Sequence, residues 1–246
     1  MSNDISKGFL LVASLSAGYY QAAIKCAISL KDYYPDARIT LFTHEAFFQE
    51  KHRYLFENIK LGIPVHSRAK LWCLDKTPYD ITVYLDCDTE IWHEDITKIF
   101  DQIDDNDILI TKIREYAGKG TFINQDEKMI YHCGVFMYRK SEKIINFMND
   151  WWKNYLYQIS TYPWPWKEYD EKMRPWDQFA FWKLLKEDTS GIKIGIFPDD
   201  ARWNFVETYN ENETKNPIVV YHYMIPSEVI HANAIQNPSG SATDIR

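Results

Sequence analysis

The sequence predicts an α/β fold in which a largely parallel, mixed sheet carries helices on both faces. Apolar strand-like runs alternate with amphipathic helical segments through the first half of the chain, a pattern typical of such sheets. The 246 residues, of which 46% are hydrophobic and 26% charged, are enough for one sizeable core. Because no repeat or linker interrupts the pattern, we expect one domain over residues 1–235 and a flexible tail over residues 236–246.

The first half of the chain predicts a Rossmann-like succession of strands and helices. The apolar periodicity places strands at residues 7–16, 37–43, 63–67 and 81–86. Helical segments are predicted between or after them, at residues 18–36, 44–59, 69–77 and 96–100. The last of these follows Glu94 and Asp95, which favour the positive end of a helix.

The second half of the chain is less regular. We predict a strand at residues 134–139, a helix at residues 142–156 and a Pro- and Trp-rich loop at residues 162–175. A further helix and two strands follow, at residues 176–188, 192–198 and 217–223.

Two aspartates one residue apart end the strand predicted at residues 81–86. Because side chains alternate along an extended segment, Asp86 and Asp88 emerge on the same face of the strand end. Like charges this close disfavour each other's ionised form unless a cation lies between them, and Mg²⁺ and Mn²⁺ prefer carboxylate oxygens. The pair therefore indicates a divalent-cation site, with two solvated turn residues as the alternative. It also lies where α/β sheets bind ligands, at the carboxyl end of a strand.

Composition argues against several other classes of protein. The net charge is −7 and no Lys/Arg run forms a track for phosphates, so we expect no nucleic-acid partner. Four cysteines without a C-x-x-C pair or a secretion signal predict free thiols in a reducing cytoplasm. The apolar stretch at residues 9–15 is too short to span a bilayer, so we expect no membrane anchor.

Six segments, in order along nearly the whole chain, resemble the motifs of one enzyme family. They are LLVASLSAGYYQAAIKCAISL, AKLWCL with YDITVYLDCDTEIW, YHCGVFMYRK, RPWDQFAFWKLL, ARWNFV and VVYHY. The chain in this respect resembles the nucleotide-sugar glycosyltransferases of the GT-A fold, and most of all the galactosyltransferase-like and glycogenin-like family eight. The resemblance implies a GT-A Rossmann-like fold and transfer of a hexose from a nucleotide-diphosphate sugar, with a UDP-sugar favoured, to a sugar or other hydroxyl acceptor. It also implies Mn²⁺ or Mg²⁺ as cofactor and retention of anomeric configuration.

The same resemblance assigns roles to individual residues. It implies a metal site formed by Asp86, Asp88 and His222, with His222 as a strand-end histidine in the alternative. It implies catalytic roles at the donor sugar for Asp177 and Gln178, whose alternative is the first turn of a helix, where Asp is favoured anyway. The donor-binding residues that it implies are Ala13, Tyr20 (or else Tyr19) stacking on the base, Lys70, Asp86, Cys133 and Gly134. Lys70 as a solvated lysine and Tyr20 as a packing residue remain the alternatives.

Tryptophans in and beside the loop at residues 162–175 suggest an acceptor site. Sugars stack their C–H faces on indoles, so Trp164 and Trp166, with Trp176, are candidate substrate contacts. The alternative is that these aromatic side chains pin the loop to the core.

The chain departs from the family pattern at three places. The stretch from Leu15 to Gly18 lacks the acidic or Asn residue that follows the first strand, His132 occupies the position of a motif Asn, and no G-x-x-K-P-W run follows His222. Two alternative functions are therefore considered against this resemblance. A haloacid-dehalogenase-like phosphatase would use Asp86 and Asp88 with Asp199 and Asp200, but Glu90 stands where its motif has Thr or Val. The other is a sugar- or nucleotide-binding module that has lost turnover.

Overall fold

Ten strands lie in the part of the chain that the computed structural model describes, residues 5–113, 129–208, 213–231 and 234. In chain order they are β1 (Lys7–Ala13), β2 (Ile39–Thr43), β3 (Asn58–Lys60), β4 (Ile81–Leu85), β5 (Thr89–Ile91), β6 (Ile108–Lys112), β7 (Tyr131–Arg139), β8 (Ile194–Ile196), β9 (Phe205–Val206) and β10 (Val220–His222). The tail predicted at residues 236–246 lies outside the described residues.

Seven of these strands form the main sheet, in the order β3-β2-β1-β4-β7-β6-β8. Neighbours in this sheet are parallel except at β7, which runs antiparallel to both β4 and β6. The predicted mostly parallel, mixed sheet is therefore confirmed. A second sheet, in the order β5-β10-β9, joins residues far apart in sequence, with β10 antiparallel to β5 and parallel to β9.

Six α-helices accompany the sheets within the described residues. They are α1 (Ala17–Tyr33), α2 (Lys70–Cys73), α3 (Glu142–Ser160), α4 (Asp177–Glu187), α5 (Asp200–Trp203) and α6 (Ser227–His231). Short 3₁₀ segments lie at Glu50–Leu55, Leu74–Lys76, Glu94–Gln102 and Glu171–Met173. Among the helices that the structure describes, none combines the length and apolar character needed to cross a bilayer.

The core lies on both faces of the main sheet, because successive strand residues point to opposite sides. On β1, Phe9 and Leu11 pack with α1 on one face, while Leu10 and Val12 pack with α2, α3 and α4 on the other. Strands covered in this way carry continuous apolar runs rather than an alternating pattern. This is why β1 and β4 are recognisable in the sequence.

Two of the predicted elements are wrong. Residues 44–59 do not form a long helix, since they contain the 3₁₀ segment Glu50–Leu55 and then β3, whose backbone pairs with β2. Residues 63–67 form a loop instead of the third strand. Pro64 lacks a backbone donor for a ladder, and its carbonyl accepts a hydrogen bond from the Ser14 hydroxyl. Three further strands were not predicted from the residue pattern, namely β6 of the main sheet and β5 and β9 of the small sheet.

Candidate active site

A polar cleft opens at the carboxyl ends of β1 and β4, where the sheet and the loop before α2 meet. Its lining includes Ser14, Tyr19, Arg68, Lys70, Asp86 and Asp88. Ser14 follows β1, Tyr19 lies in α1, Arg68 and Lys70 belong to the α2 region, and the two aspartates follow β4. The cleft therefore lies at the edge of the sheet where ligand binding was expected.

Three side chains in and beside this cleft form a group that could hold a metal ion. One ligand atom from each of Asp86, Asp88 and His222 lies within 4.8 Å of the other two. The antiparallel pairing of β5 with β10 brings the histidine there, since His222 lies opposite Thr89 and the Tyr223 amide donates to the Asp88 carbonyl at 3.0 Å. Two carboxylates and an imidazole suit Mn²⁺ in particular, so the residues present fit a divalent cation.

Asp88 and His222 also interact directly, with 3.3 Å between the carboxylate Oδ1 and the imidazole Nε2. Burial alone would raise the pKa of Asp88 and lower that of His222. The opposite charges outweigh burial, so the pKa of Asp88 is lowered and the pKa of His222 is raised.

Lys70 links Asp86, at the end of β4, with Asp177, at the start of α4. Its ammonium donates to Asp86 Oδ1 at 3.2 Å and to the Cys133 carbonyl at 2.8 Å, and it lies 3.1 Å from Asp177 Oδ2. Burial would raise the pKa of Asp177, but Lys70 and Arg68 outweigh it and hold this pKa at about 2. Lys70 thus lines the cleft and orients two carboxylates, and the alternative of a solvated lysine does not describe this buried side chain. Its contact with a donor stays a prediction.

Arg68 is a cleft residue that the sequence analysis missed. Its Nε lies 3.4 Å from Asp177 Oδ1, yet 39% of the side chain is exposed, so it presents a cation to the cleft. The signal that could have found it is the basic pair two residues apart in HSRAK, immediately before α2.

The structure corrects the position of Tyr20. Its side chain is fully buried, and its hydroxyl accepts from the Gln49 amide and pairs with His52 Nδ1, both at 3.0 Å. Tyr19 lines the cleft instead. Consecutive residues on a helix point about 100° apart, so only one of the two can face the ligand while α1 packs on the sheet.

Three other predicted donor contacts lie at strand positions near the cleft. The side chains of Ala13 and Cys133 are buried in the core, so only their backbone could reach a ligand. Gly134 touches the metal group, since an added Cβ would lie 2.9 Å from Asp86 Oδ2 and 2.8 Å from Cε1 of both His132 and His222. Glycine is required here because no other residue leaves room for the three side chains.

Asp177 and Gln178 lie together at the start of α4 but have different surroundings. Asp177 is buried and belongs to the charged group around Lys70. Gln178 is half-buried, and its amide donates to the Tyr131 carbonyl at 3.4 Å. The structure therefore brings Asp177 close to Asp86 through Lys70 and places Gln178 against β7.

The tryptophans of the loop at residues 162–175 form an aromatic cluster of their own. Trp164 is only 6% exposed, donates to the Tyr169 carbonyl at 2.9 Å and packs with Trp166 and Phe179. Trp166 and Trp176 are half-buried in the same cluster. An open stacking platform that includes Trp164 is therefore wrong for this structure, and the pinned-loop alternative describes it.

No protein-family profile matches this chain, and no curated protein matches it in sequence. Solved structures do match its fold. The galactosyltransferase LgtC, in complex with donor and acceptor sugar analogues, is 17% identical with a TM-score of 0.54, over 94% of this chain and 98% of that one. GlyE of Streptococcus pneumoniae TIGR4 is 14% identical with a TM-score of 0.59, over 89% and 55% of the two chains. Mouse xyloside xylosyltransferase 1 is 12% identical with a TM-score of 0.51, over 88% and 97%. At these identities the likeness establishes the fold, and the predicted GT-A Rossmann-like architecture is confirmed.

Proposed function

We propose that this chain is a metal-dependent glycosyltransferase that moves a sugar from a nucleotide-diphosphate sugar to a hydroxyl acceptor. The observation that carries the proposal is the group formed by Asp86, Asp88 and His222 at the carboxyl edge of the sheet. It lies in a fold shared with sugar transferases, one of which was crystallised with donor and acceptor analogues. A UDP-sugar is the first donor to test, and the acceptor is a sugar or another hydroxyl compound.

In this proposal Asp86, Asp88 and His222 hold Mn²⁺ or Mg²⁺. When bound, the ion neutralises charge that develops on the departing nucleotide diphosphate. Two hydrogen bonds orient Asp86 for this role, because both Tyr84 and Lys70 donate to its Oδ1, at 2.6 and 3.2 Å. Its Oδ2 is left on the side of Gly134 and His222.

The remaining charged groups orient the donor. Arg68 offers a partly exposed cation to the diphosphate, while Lys70 and Asp177 hold each other buried beneath it. Asp177 and Gln178, at the start of α4, are the residues proposed to face the donor sugar. The acceptor oxygen bonds to the anomeric carbon as that carbon's bond to the diphosphate oxygen breaks, and the acceptor proton passes to the departing diphosphate. We infer retention of configuration from the resemblance to family eight.

The phosphatase alternative lacks support from the geometry. Its late acidic pair, Asp199 and Asp200, is engaged elsewhere: Asp199 accepts from Thr214 and Asn216, and Asp200 accepts from the Lys112 amide. Among the described residues, the group that could hold a metal with Asp86 and Asp88 is completed by His222 and not by either of these.

The state of the cysteines supports a reducing compartment. Cys26, Cys73, Cys87 and Cys133 are all buried and none forms a disulfide. We therefore propose a cytoplasmic protein, since thiols stay reduced there.

The test is release of free nucleotide diphosphate from a panel of sugar nucleotides, with Mn²⁺ or Mg²⁺ and with excess EDTA. We expect turnover only with the cation. Asp88→Asn should lower it by orders of magnitude with the fold intact, because the amide keeps the shape but loses the charge that holds the ion. Asp150→Asn, at an exposed carboxylate paired with Lys153, is the matched control and should not change turnover.

Full activity in EDTA would contradict metal dependence. Binding of a sugar nucleotide without any release of its diphosphate, across a broad set of acceptors, would instead identify the chain as a binding module.

A further inference from the structure

A buried asparagine lies between the metal-site histidine and a second histidine. Asn204 is 1% exposed and stands between α5 and β9. Its side-chain amide lies 2.9 Å from His222 Nδ1, 2.8 Å from His132 Nδ1 and 3.1 Å from Thr111 Oγ1. The sequence analysis gave this residue no role.

The orientation of the Asn204 amide follows from a backbone group. The Gly134 N–H lies 3.2 Å from His132 Nδ1, and a backbone amide can only donate. His132 Nδ1 must therefore be the unprotonated, accepting nitrogen of its ring. The Asn204 atom that faces the same nitrogen at 2.8 Å must then be the NH₂ group and not the oxygen.

This orientation determines the proton position on His222. With its NH₂ turned to His132 and Thr111, Asn204 turns Oδ1 to His222 Nδ1. A carbonyl oxygen only accepts, so His222 Nδ1 must carry a proton. In the neutral ring the lone pair is then on Nε2, the nitrogen that faces Asp88. A ring protonated on Nε2 instead could not bind a cation there.

We propose that Asn204 is a positioning residue that selects the Nδ1–H tautomer of His222 and so presents Nε2 to the cation site. The chain of contacts starts at the Gly134 amide and passes through His132 and Asn204 to His222. The role of Asn204 in function rests on the metal dependence proposed above. The tautomers of His132 and His222 can be observed in the metal-free protein. Groups that hold the second nitrogen of a metal-binding histidine commonly matter 10- to 100-fold in metal affinity.

The direct test is two-bond ¹H–¹⁵N NMR of the histidine rings in the full, metal-free chain, at a pH where the ring nitrogens of His132 and His222 show the chemical shifts of neutral imidazole. We expect opposite tautomers for the two neighbours, Nδ1–H for His222 and Nε2–H for His132. Asn204→Leu, which keeps the branching of the side chain but removes its hydrogen bonds, should lose the pure Nδ1–H form of His222. Thr111→Val removes the hydroxyl that accepts from Asn204 and donates to the His132 and Val135 carbonyls. It leaves the contacts of Asn204 with both histidine rings in place and should leave both tautomers unchanged.

A second readout is calorimetric titration with MnCl₂ in the absence of any sugar nucleotide. We expect Asn204→Leu to weaken Mn²⁺ binding about 10- to 100-fold and Thr111→Val to leave it within about threefold of the wild type. Wild-type His222 in the Nε2–H form would overturn the proposal even if the Leu variant does not fold. Unchanged Mn²⁺ affinity in a folded Leu variant would overturn it as well. Neither result depends on finding a donor, so the failure of glycosyl transfer would be seen separately.

Discussion

At the scale of single residues, Gly134 shows how closely Asp86 and His222 of the candidate metal site pack together. The position where its Cβ would stand is already within 3 Å of atoms from Asp86, His132 and His222. Any side chain there must push apart groups that lie within 4.8 Å of one another. The glycine in β7 is therefore part of the site, although it contributes no functional group.

Gly134→Ala should weaken Mn²⁺ binding by at least about tenfold, because the added methyl displaces Asp86 or His222 from its position. Titration with MnCl₂ measures this. The matched control is Val135→Ala at the next, fully buried position of β7, which should cost ~2 kcal/mol of stability and leave Mn²⁺ affinity unchanged. If both variants lose Mn²⁺ affinity equally, general loosening of β7 and not the local clash is the cause.

Asp177 contributes to stability in a pH-dependent way. Its folded-state pKa is lowered to about 2 by Lys70 and Arg68 against the effect of burial, while an unfolded Asp titrates near ~3.9. A lowered pKa stabilises the fold fully above the unfolded value, and this contribution disappears as the pH falls through the folded value. The difference corresponds to ~2 kcal/mol at neutral pH.

Asp177→Asn should therefore destabilise the protein by a few kcal/mol at pH 7, since it also removes one of the two carboxylates that pair with the buried Lys70. Urea unfolding of both proteins between pH 7 and pH 3 measures the effect. We expect the gap between them to narrow below pH ~4 as the unfolded wild type takes up a proton. A gap that is constant over this range would show that the charge of Asp177 does not provide the stabilisation.

At the scale of elements, two sets of contacts position the site residues. The antiparallel contact of β5 with β10 brings His222 to the aspartates that follow β4. The loop that leads to α4 is held by α3, since Gln158 donates to the Met173, Arg174 and Trp176 carbonyls and Trp151 donates to the Asp177 carbonyl. Buried polar side chains that satisfy loop carbonyls fix the entry of α4, and with it the position of Asp177.

Trp164→Ala should lower the free energy of unfolding by about 3–5 kcal/mol, because it removes a large buried side chain and its hydrogen bond to Tyr169. Tyr54→Ala, at a tyrosine that is 75% exposed, is the control and should stay within ~0.5 kcal/mol of the wild type. Urea unfolding compares them. A stable Trp164 variant with a raised Michaelis constant for acceptor alone would restore the stacking role.

At the scale of the whole molecule, the main sheet carries the aspartates and the small sheet carries the histidine. The two meet where β4 ends and β5 begins, two residues to either side of Cys87. Ligand binding at this junction ties both sheets and the α2 region together. It should therefore stabilise the whole fold and not one segment.

A sugar nucleotide at about 100 times its dissociation constant should add ~2.7 kcal/mol of stability. For a chain of this length that raises the melting temperature by roughly 5–10 °C. We expect this shift only when Mn²⁺ or Mg²⁺ is present, and we expect none in Asp88→Asn. A thermal-melting series with UDP-sugars first, then other nucleotide sugars, measures it. An equal shift of the melting temperature in EDTA would show that donor binding does not require the cation.

The α/β class, most strands of the main sheet and the Asp86–Asp88 pair at the end of β4 could be predicted from the residue pattern. These features are local, because apolar runs and their periodicity depend on which face of one element is buried. The ordered motifs also indicated His222, Asp177 and Gln178. Residue pattern could not choose between Tyr19 and Tyr20, because both positions suit a helix that packs on a sheet.

Which groups share the site depends on contacts between distant elements and could not be predicted from the residue pattern. His222 reaches Asp88 through a pairing of strands about 130 residues apart in sequence, and His132 and Asn204 join the group through contacts that no local pattern encodes. The aromatic loop could not be predicted for the same reason. Met173 and Phe179 cover Trp164 in the structure, but the sequence around Trp164 does not distinguish it from an exposed indole. Burial and hydrogen-bond partners come from other elements, and they determine the charge, tautomer and exposure on which function depends.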